Sequence, residues 1–523
     1  MFKLSQTRTK RLFAIHGWSG TVLGLLLYAV VLTGAIAVFA HEIGAWSKGG
    51  APQPDGISTL VHRHVERLAD QVDPIYHEEV RVVNDSSGTL RISFTTQRPY
   101  AENGLPQPQG HYFFVSRETG EVVEERYGFI SEVFSTDRGE ALEDFLVDLH
   151  VRLSVPEPWG LLLTGILGMS MLVASVSGLI MHRHLIRDLF TAPRGKGMLS
   201  DKRDTHILAA VWGLPFSILL AFTGAFFSFA ISLGLPLVAM VAFGGDQQAL
   251  AESVIGLEAP VDPTPTPLAS LDYIVVDSTA RSGNPPSSLS ISHFGTASAE
   301  VTAFHRAADG SLTGDSNIFN GVTRAFEGER PLFGQVPSAG AAALSLMGPL
   351  HFGSFAGLAS KTVWLAMGLA MSYVIATGML LWVNRRAEAP LWRHFARAVR
   401  ITVWGLPLAL LGSAVAFFIT LPAGDPLWWT PAGFLIASAI AIWMGLGERD
   451  PTPRYRVAGA ILCLGLPLLR HITGGTSWSE AILIGNAEVL TIDLLLLFAG
   501  AWLWLGDARP RVRNTVRVLE PAE

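Results

Sequence analysis

The chain is poor in cysteine and in charge. Cys463 is the only cysteine among 523 residues, which excludes an internal disulfide framework, a CxxC redox pair and a cysteine-ligated iron–sulfur cluster. Charged residues make up 16% of the chain, where a soluble domain carries about 25%. The net charge of −6 argues against nucleic acid as a partner, because such proteins need a basic face. GxGxxG and P-loop motifs are also lacking, so neither a Rossmann nucleotide domain nor ATP-driven transport is expected.

Long apolar runs are abundant instead. A membrane-spanning helix needs about 20 mostly apolar residues. Eight stretches qualify: 17–40, 159–182, 207–233, 358–383, 401–421, 427–446, 457–472 and 487–505. The first run exceeds the 7–15 residues typical of a signal-peptide core, so we expect a retained helix rather than a cleaved leader. The sequence therefore predicts an α-helical polytopic membrane protein that contacts lipid through about eight transmembrane helices.

Basic residues predict the orientation. Lys and Arg cluster at both ends and in the loops after the second, fourth and sixth spans, whereas the loops 422–426 and 473–485 contain none. The positive-inside rule then places both termini in the cytoplasm.

Two long segments, 42–149 and 234–350, lie between the spans on the side opposite the termini. Alternating runs such as TLRISFTT and SSLSISHF predict that both are α+β domains. The expected organisation is a first span in 1–41, an outside domain in 42–149, spans two and three with a basic loop in 150–233, a second outside domain in 234–350, the fourth span in 351–386, and four additional spans with a cytoplasmic tail in 387–523.

An internal repeat relates the two halves of the core. HGWSGTVLGLLLYAVVLTGAIAVFA aligns without a gap with HILAAVWGLPFSILLAFTGAFFSFA, which places His16 on His206. The second and fourth spans also correspond and place His150 on His351. Both copies run helix, outside domain, helix in the same direction, so this is a parallel repeat with a pseudo-twofold axis along the membrane normal.

That axis pairs the histidines. His16 is expected to face His206 near the cytoplasm, and His150 to face His351 near the outside. A single interfacial histidine is more often solvated, but four at repeat-equivalent places favour ligation of a cofactor in the core of a four-helix bundle. Two imidazoles on one iron make a b-type haem site, so we predict two haem b groups that form an electron path. The first span is expected to be one continuous helix, about 27 Å from His16 to Gly34.

Two further histidines lie at the cytoplasmic end of the second span. His182 has Trp382 as its repeat equivalent, so symmetry does not support it as a ligand, and the same holds for the neighbouring His184. His182 nevertheless lies at a depth where it could replace His16 or His206, and it remains a reserve ligand. His41, just outside the first span, is interpreted as a boundary residue.

Ionisable residues near the last two spans have ordinary explanations. Glu480, Glu488 and Asp493 are interpreted as cap or loop residues rather than as a proton relay. Arg470 and His471 at the outer end of the seventh span are expected to snorkel toward the interface.

Several segments resemble the PepSY-associated transmembrane proteins, a family that includes inner-membrane siderophore-iron reductases of Gram-negative bacteria. They are RLFAIHGWSGTVLGLLLYAVVLTG, YFFVSRETGEVVEE, DTHILAAVWGLPFSILLAFTG and LHFGSFAG. The resemblance covers residues 1 to about 386 and implies two b haems in the four-helix core, with the two outside domains as periplasmic PepSY-like modules. The KRDTH segment before His206 departs from the tryptophan-rich stretch of longer members, which leaves the cytoplasmic site open, and the four additional spans have no assigned task.

The leading expectation is a haem-dependent oxidoreductase of the inner membrane. It would pass electrons from a cytoplasmic or quinol donor to a periplasmic acceptor such as a ferric siderophore, near the rim aromatics Trp159, Phe352 and Phe355. The alternative is a haem-free sensor or scaffold whose PepSY modules bind peptides or regulate an envelope protease. A permease is a third possibility, but it would need midplane polar residues and broken helices.

Overall fold

The computed structural model describes residues 5–506 apart from 50–55, 58–59, 85–87, 101–105, 118, 135–136, 182–197, 247–248, 251–260, 308–310, 331–337, 387, 423 and 447–450. The described chain is mostly helical and carries one antiparallel sheet. The helices before the sheet's second half are α1 Gln6–Val22, α2 Gly24–Ala37, α3 Ala40–Lys48, α4 Val61–Ala69, α5 Ile130–Phe134, α6 Ala141–Arg152, α7 Trp159–Met181, α8 Met198–Phe229, α9 Leu235–Ala242 and α10 Leu271–Ser282. Those after it are α11 Ala339–Phe352, α12 Gly357–Asn384, α13 Pro390–Thr420, α14 Pro426–Leu446, α15 Thr452–Ile472, α16 Trp478–Ile484 and α17 Ala487–Leu505.

The expected polytopic architecture is confirmed. Within the described ranges, seven helices are long and apolar enough to cross a membrane, and a bent helix pair raises the number to eight. The seven are α7, α8 continued through α9, α12, α13, α14, α15 and α17. Each overlaps a predicted span, because a run of about 20 apolar residues can satisfy its backbone in lipid only as a helix.

The first span is not the continuous helix that was expected. It breaks at Leu23 into α1 and α2, whose axes differ by 67°. Ser19 and Gly20 precede the break and Gly24 follows it, and sharp kinks occur at such Gly/Ser sites. Gly24 also packs so closely on α12 that a Cβ there would lie 2.5 Å from the Met379 sulfur. The estimate of about 27 Å for a straight helix from His16 to Gly34 is therefore wrong.

The two outside segments, predicted as two domains, form the two halves of one sheet. Its strands are β1 Glu79–Asn84, β2 Leu90–Pro99, β3 Pro106–Val115, β4 Val122–Phe129, β5 Ser288–Ser292, β6 Glu300–Phe304, β7 Ser316–Asn320 and β8 Phe326–Glu329. Their order is β4-β3-β2-β1-β5-β6-β7-β8, and every pair is antiparallel. The sequence repeat thus extends to the sheet, since each half contributes four consecutive strands and the halves join where β1 pairs with β5.

A shared hydrophobic core holds the halves together. Val80 and Val82 of β1 lie opposite Ile291 and Leu289 of β5, and all four side chains are buried. Helices α4 and α10 contribute their apolar faces to the same cluster. Burial of each such side chain stabilises the fold by about 1.5–3 kcal/mol, so separating the halves would expose a continuous apolar surface.

The membrane helices form two groups that contact each other. Helices α1, α2, α7, α8 and α12 pack together as the core of the repeat, and α13 to α17 form an accessory module. The module packs through α13 on α2 and α12, through α14 on α6, and through α17 on α3.

Candidate functional site

Two of the predicted histidines lie side by side next to the sheet. His150 of α6 and His351 of α11 have ring centroids 6.2 Å apart and ring planes 26° apart. Each lies in the last turn of its helix, and each helix ends at a residue with positive φ: Leu153 after α6 and Gly353 after α11. We call these histidines the outer pair, because their helices connect the sheet to the membrane core.

The hydrogen bonds of the outer pair determine which ring nitrogen carries the proton. Nδ1 of His150 lies 3.0 Å from the carbonyl oxygen of Val30, which only accepts, so Nδ1–H donates. Nδ1 of His351 lies 2.9 Å from Oγ1 of Thr223, which gives its own proton to Leu219 O at 2.9 Å and so accepts from the ring. In both rings Nε2 therefore carries a lone pair.

The other two histidines repeat this arrangement at the end of the core away from the sheet. Nδ1 of His16 donates to the carbonyl oxygen of Ala174 at 2.8 Å, and Nδ1 of His206 donates to Oγ1 of Thr377 at 3.0 Å. Thr377 in turn donates to the carbonyl oxygen of Tyr373 at 2.7 Å. His16 lies in α1 and His206 in α8, and we call these two histidines the inner pair.

A glycine lies against Cε1 of every one of these rings. A Cβ at Gly34 would lie 2.6 Å from Cε1 of His150, and the other three glycines would place a Cβ 3.1–3.3 Å from the ring they face. The further contacts are Gly224 with His351, Gly178 with His16, and Gly378 with His206. The repeat alignment also equates Gly34 with Gly224 and Gly178 with Gly378, so the small residue beside each ring belongs to the repeat itself.

The ring spacing of the outer pair equals that of two imidazoles on one metal. An imidazole nitrogen lies about 2 Å from a metal it binds, and the ring centre roughly 1 Å further, so two rings on opposite sides of one metal have centroids about 6 Å apart. The observed separation is 6.2 Å. Metal-binding histidines also donate their second ring nitrogen to a carbonyl or another acceptor, as all four do here.

The remaining sequence candidates have other positions. His182 and His184 lie outside the described residues. His41 lies at the start of α3, where the Glu143 carboxylate 3.8 Å away raises its pKa. Trp159 and Phe352 are exposed at the sheet end of the core.

Arg470 is not a snorkelling residue. It is 1% exposed, and its Nη2 lies 2.7 Å from Oδ2 of Asp493, which is fully buried. The indole N–H groups of Trp46 and Trp478 also donate to Asp493, at 2.8 and 2.9 Å. The interpretation of Asp493 as a cap or loop residue is also wrong, because the residue lies inside α17, whereas Glu480 does cap α16 through a capping box.

The sequence contains one indication of this ion pair: Arg470 lies in the seventh predicted span, and Asp493, of opposite charge, lies in the eighth. Ionisable groups within membrane helices are costly and usually pair with one another. Helices α15 and α17 pack together, which brings the Arg470 and Asp493 side chains into contact.

The part of the chain that matches a known family is the part before the accessory module. Residues 13–385 match the model of the PepSY-associated TM region. An uncharacterized protein of Pseudomonas aeruginosa is 32% identical over 384 residues, which cover 69% of this chain and 93% of that protein. The matched region contains all four histidines and ends before the accessory module. This chain is a multi-pass membrane protein that belongs to the family of PepSY-associated transmembrane regions.

Proposed function

We propose that this protein is a di-haem b-type oxidoreductase that passes electrons across the inner membrane. The observation that carries the proposal is the state of the four histidines: each donates its Nδ1–H to a neighbouring helix and keeps the lone pair of Nε2. In the outer pair, the ring spacing also fits one metal between two imidazoles.

The donor set favours haem over a metal ion held by protein alone. Among the described residues, no group of three or more His, Cys, Asp or Glu side chains comes together to hold a metal ion. Protein zinc sites take at least three such ligands, whereas a haem iron takes four nitrogens from its macrocycle and needs two axial ligands from the chain. Two histidines per site match the second requirement.

The chain's own residues supply orientation and spacing. The carbonyl oxygens of Val30 and Ala174 and the hydroxyls of Thr223 and Thr377 fix the tautomer of each ring and raise the basicity of Nε2. The facing glycines leave room for the rings beside the helix backbone. Haem, when bound, supplies one-electron chemistry through its iron.

The position of the sheet favours an acceptor on its side of the membrane. Strand β4 leads through α5 and α6 to His150, and β8 leads through α11 to His351. An acceptor bound by the sheet or by the exposed Phe352 would lie beside the outer pair. With both termini cytoplasmic, that side is the periplasm. We propose an iron(III) complex such as a ferric siderophore as acceptor, and a cytoplasmic reductant or a quinol as donor.

The test is the haem content of the purified protein and of single variants. We expect about two haem b per chain by the pyridine haemochrome assay. His150→Ala or His351→Ala should remove one haem and abolish reduction of a bulky periplasmic acceptor, while the remaining haem is still reduced from the donor side. His16→Ala or His206→Ala should remove the other haem.

The matched control is His471→Ala, which changes an exposed histidine of the accessory module. It should retain both haems. A wild-type haem content near zero would overturn the proposal and favour the haem-free sensor or scaffold. Loss of a haem in His182→Ala, with both haems retained in His16→Ala, would show that the inner ligands are assigned wrongly.

A further inference from the structure

Trp382 lies next to the inner pair, at the end of the core away from the sheet. It lies near the end of α12, four residues after Gly378, whose backbone faces the ring of His206. Residues four apart lie on the same helix face one turn apart, so Trp382 lies one turn beyond the inner pair. Its six-membered ring packs directly on Gly17, the residue that follows His16. The indole thus bridges α12 and α1, the helix that carries His16.

The indole nitrogen of Trp382 has no hydrogen-bond partner among the residues that the structure describes. The side chain is 6% exposed, and Nε1 is buried without an acceptor. Two other buried tryptophans differ: Trp46 donates to Asp493, and Trp364 donates to the carbonyl oxygen of Leu350. A buried N–H group without an acceptor is costly, so this donor points to a group that binds beside it.

A positively charged side chain contacts the same indole. The guanidinium of Arg386 lies 3.6 Å from the centre of the Trp382 ring, and its Nη1 donates to the Trp382 carbonyl oxygen at 3.1 Å. Arg385 lies 5.1 Å from the ring of Phe13, which itself stacks on Trp382. A buried N–H group that has no acceptor among the described residues and lies on an indole in contact with the Arg386 guanidinium favours an anion with oxygen acceptors.

We propose that Trp382 and Arg386 bind a carboxylate side chain of the inner haem, an inference that rests on the proposed function. Haem carries two carboxylates at one edge, and in a membrane core they require hydrogen-bond donors and positive charge. Trp382 supplies the donor one helical turn from Gly378, the glycine that faces His206, and Arg386, four residues further along the chain, supplies the charge.

The experiment uses the full-length protein with the His150→Ala change, which leaves only the inner haem. Trp382→Phe keeps the aromatic packing on Gly17 and removes the N–H group, and Arg386→Gln removes the charge without altering the indole. We expect haem transfer to an excess of a haem-scavenging apoprotein to be about tenfold faster in each variant, the factor typical of a lost hydrogen bond to a charged group. The midpoint potential should also fall, because an unneutralised carboxylate stabilises the ferric state.

The matched control is Trp504→Phe, an exposed tryptophan in the accessory module, which should change neither quantity. Unchanged haem transfer and potential in both Trp382→Phe and Arg386→Gln would overturn the inference while leaving the di-haem proposal intact. If the effects of Trp382→Phe and Arg386→Gln on haem transfer and potential disappear in phosphatidylcholine vesicles without anionic lipid, the site binds a lipid phosphate. That result would also overturn the inference. Absence of haem from the unmodified protein would overturn both.

Discussion

Replacing Thr223 by valine should selectively weaken the outer haem site. Thr223 is fully buried, and its Oγ1 accepts the hydrogen bond from Nδ1–H of His351 at 2.9 Å. Valine has nearly the same shape, so the helix packing is retained while the buried ring loses its acceptor. Loss of such a partner costs about 10- to 100-fold in metal affinity, or ~1.4–2.8 kcal/mol.

The internal repeat provides a matched control at Thr33. This residue is the repeat equivalent of Thr223 and is also buried, and its hydroxyl likewise donates to the carbonyl four residues earlier, at 2.8 Å. The facing His150, however, donates to the carbonyl oxygen of Val30 and not to Thr33. Thr33→Val therefore removes the same helix-internal hydrogen bond but leaves the histidine with its acceptor, so haem affinity should change less than threefold.

The assay is haem release from the His16→Ala protein, which is expected to hold only the outer haem. Transfer to a scavenging apoprotein should be at least tenfold faster after Thr223→Val than after Thr33→Val. Equal rates in the two variants would refute the argument that the acceptor on Nδ1 holds the ring as a ligand.

Three further outcomes follow from the structure. Gly34→Ala places a Cβ 2.6 Å from a ring of the outer pair and should remove the outer haem, as measured by haemochrome analysis, whereas Gly465→Ala, whose Cβ meets nothing within 4 Å, should not. Asp493→Asn leaves the buried Arg470 without its counter-charge and should destabilise the protein by about 3–5 kcal/mol, seen as a lower Tm. A double change of both residues to leucine should recover only part of this loss, because the indole N–H groups of Trp46 and Trp478 then lack their acceptor. Burial lowers the pKa of His305 below its ordinary value of 6.5, so the unfolded chain takes up a proton near that pH and the folded sheet does not. The protection factors of the amides in β6 and β7, in which the intrinsic pH dependence of exchange is divided out, should therefore fall as the pH falls from 7 to 5, and His305→Asn should remove this dependence.

Much of the architecture could be predicted from local pattern. Span positions follow from apolar runs, and the repeat aligned the four histidines because both copies retain a ligand-like His and a facing Gly at equal spacing. The contacts at Val30 and Ala174 could not be predicted, because backbone carbonyls carry no residue signature. Which helix face meets which carbonyl depends on packing between helices more than 100 residues apart.

Three features could not be predicted, because they depend on packing contacts that the pattern of residues along the sequence does not specify. The break at Leu23 depends on how Gly24 packs against α12. Pairing of β1 with β5 joins segments about 200 residues apart, and strand alternation alone does not specify a partner. The Arg470–Asp493 pair required knowing that α15 and α17 are neighbours at the same depth.

In the proposed function, each of the two histidine pairs would hold one haem b. Low-temperature electron paramagnetic resonance of the oxidised, detergent-purified protein tests it most directly when combined with a haem-to-protein ratio. We expect a ratio near two with both irons low-spin, and the loss of one low-spin signal in His351→Ala. A ratio near zero, or high-spin iron in the unmodified protein, would contradict it.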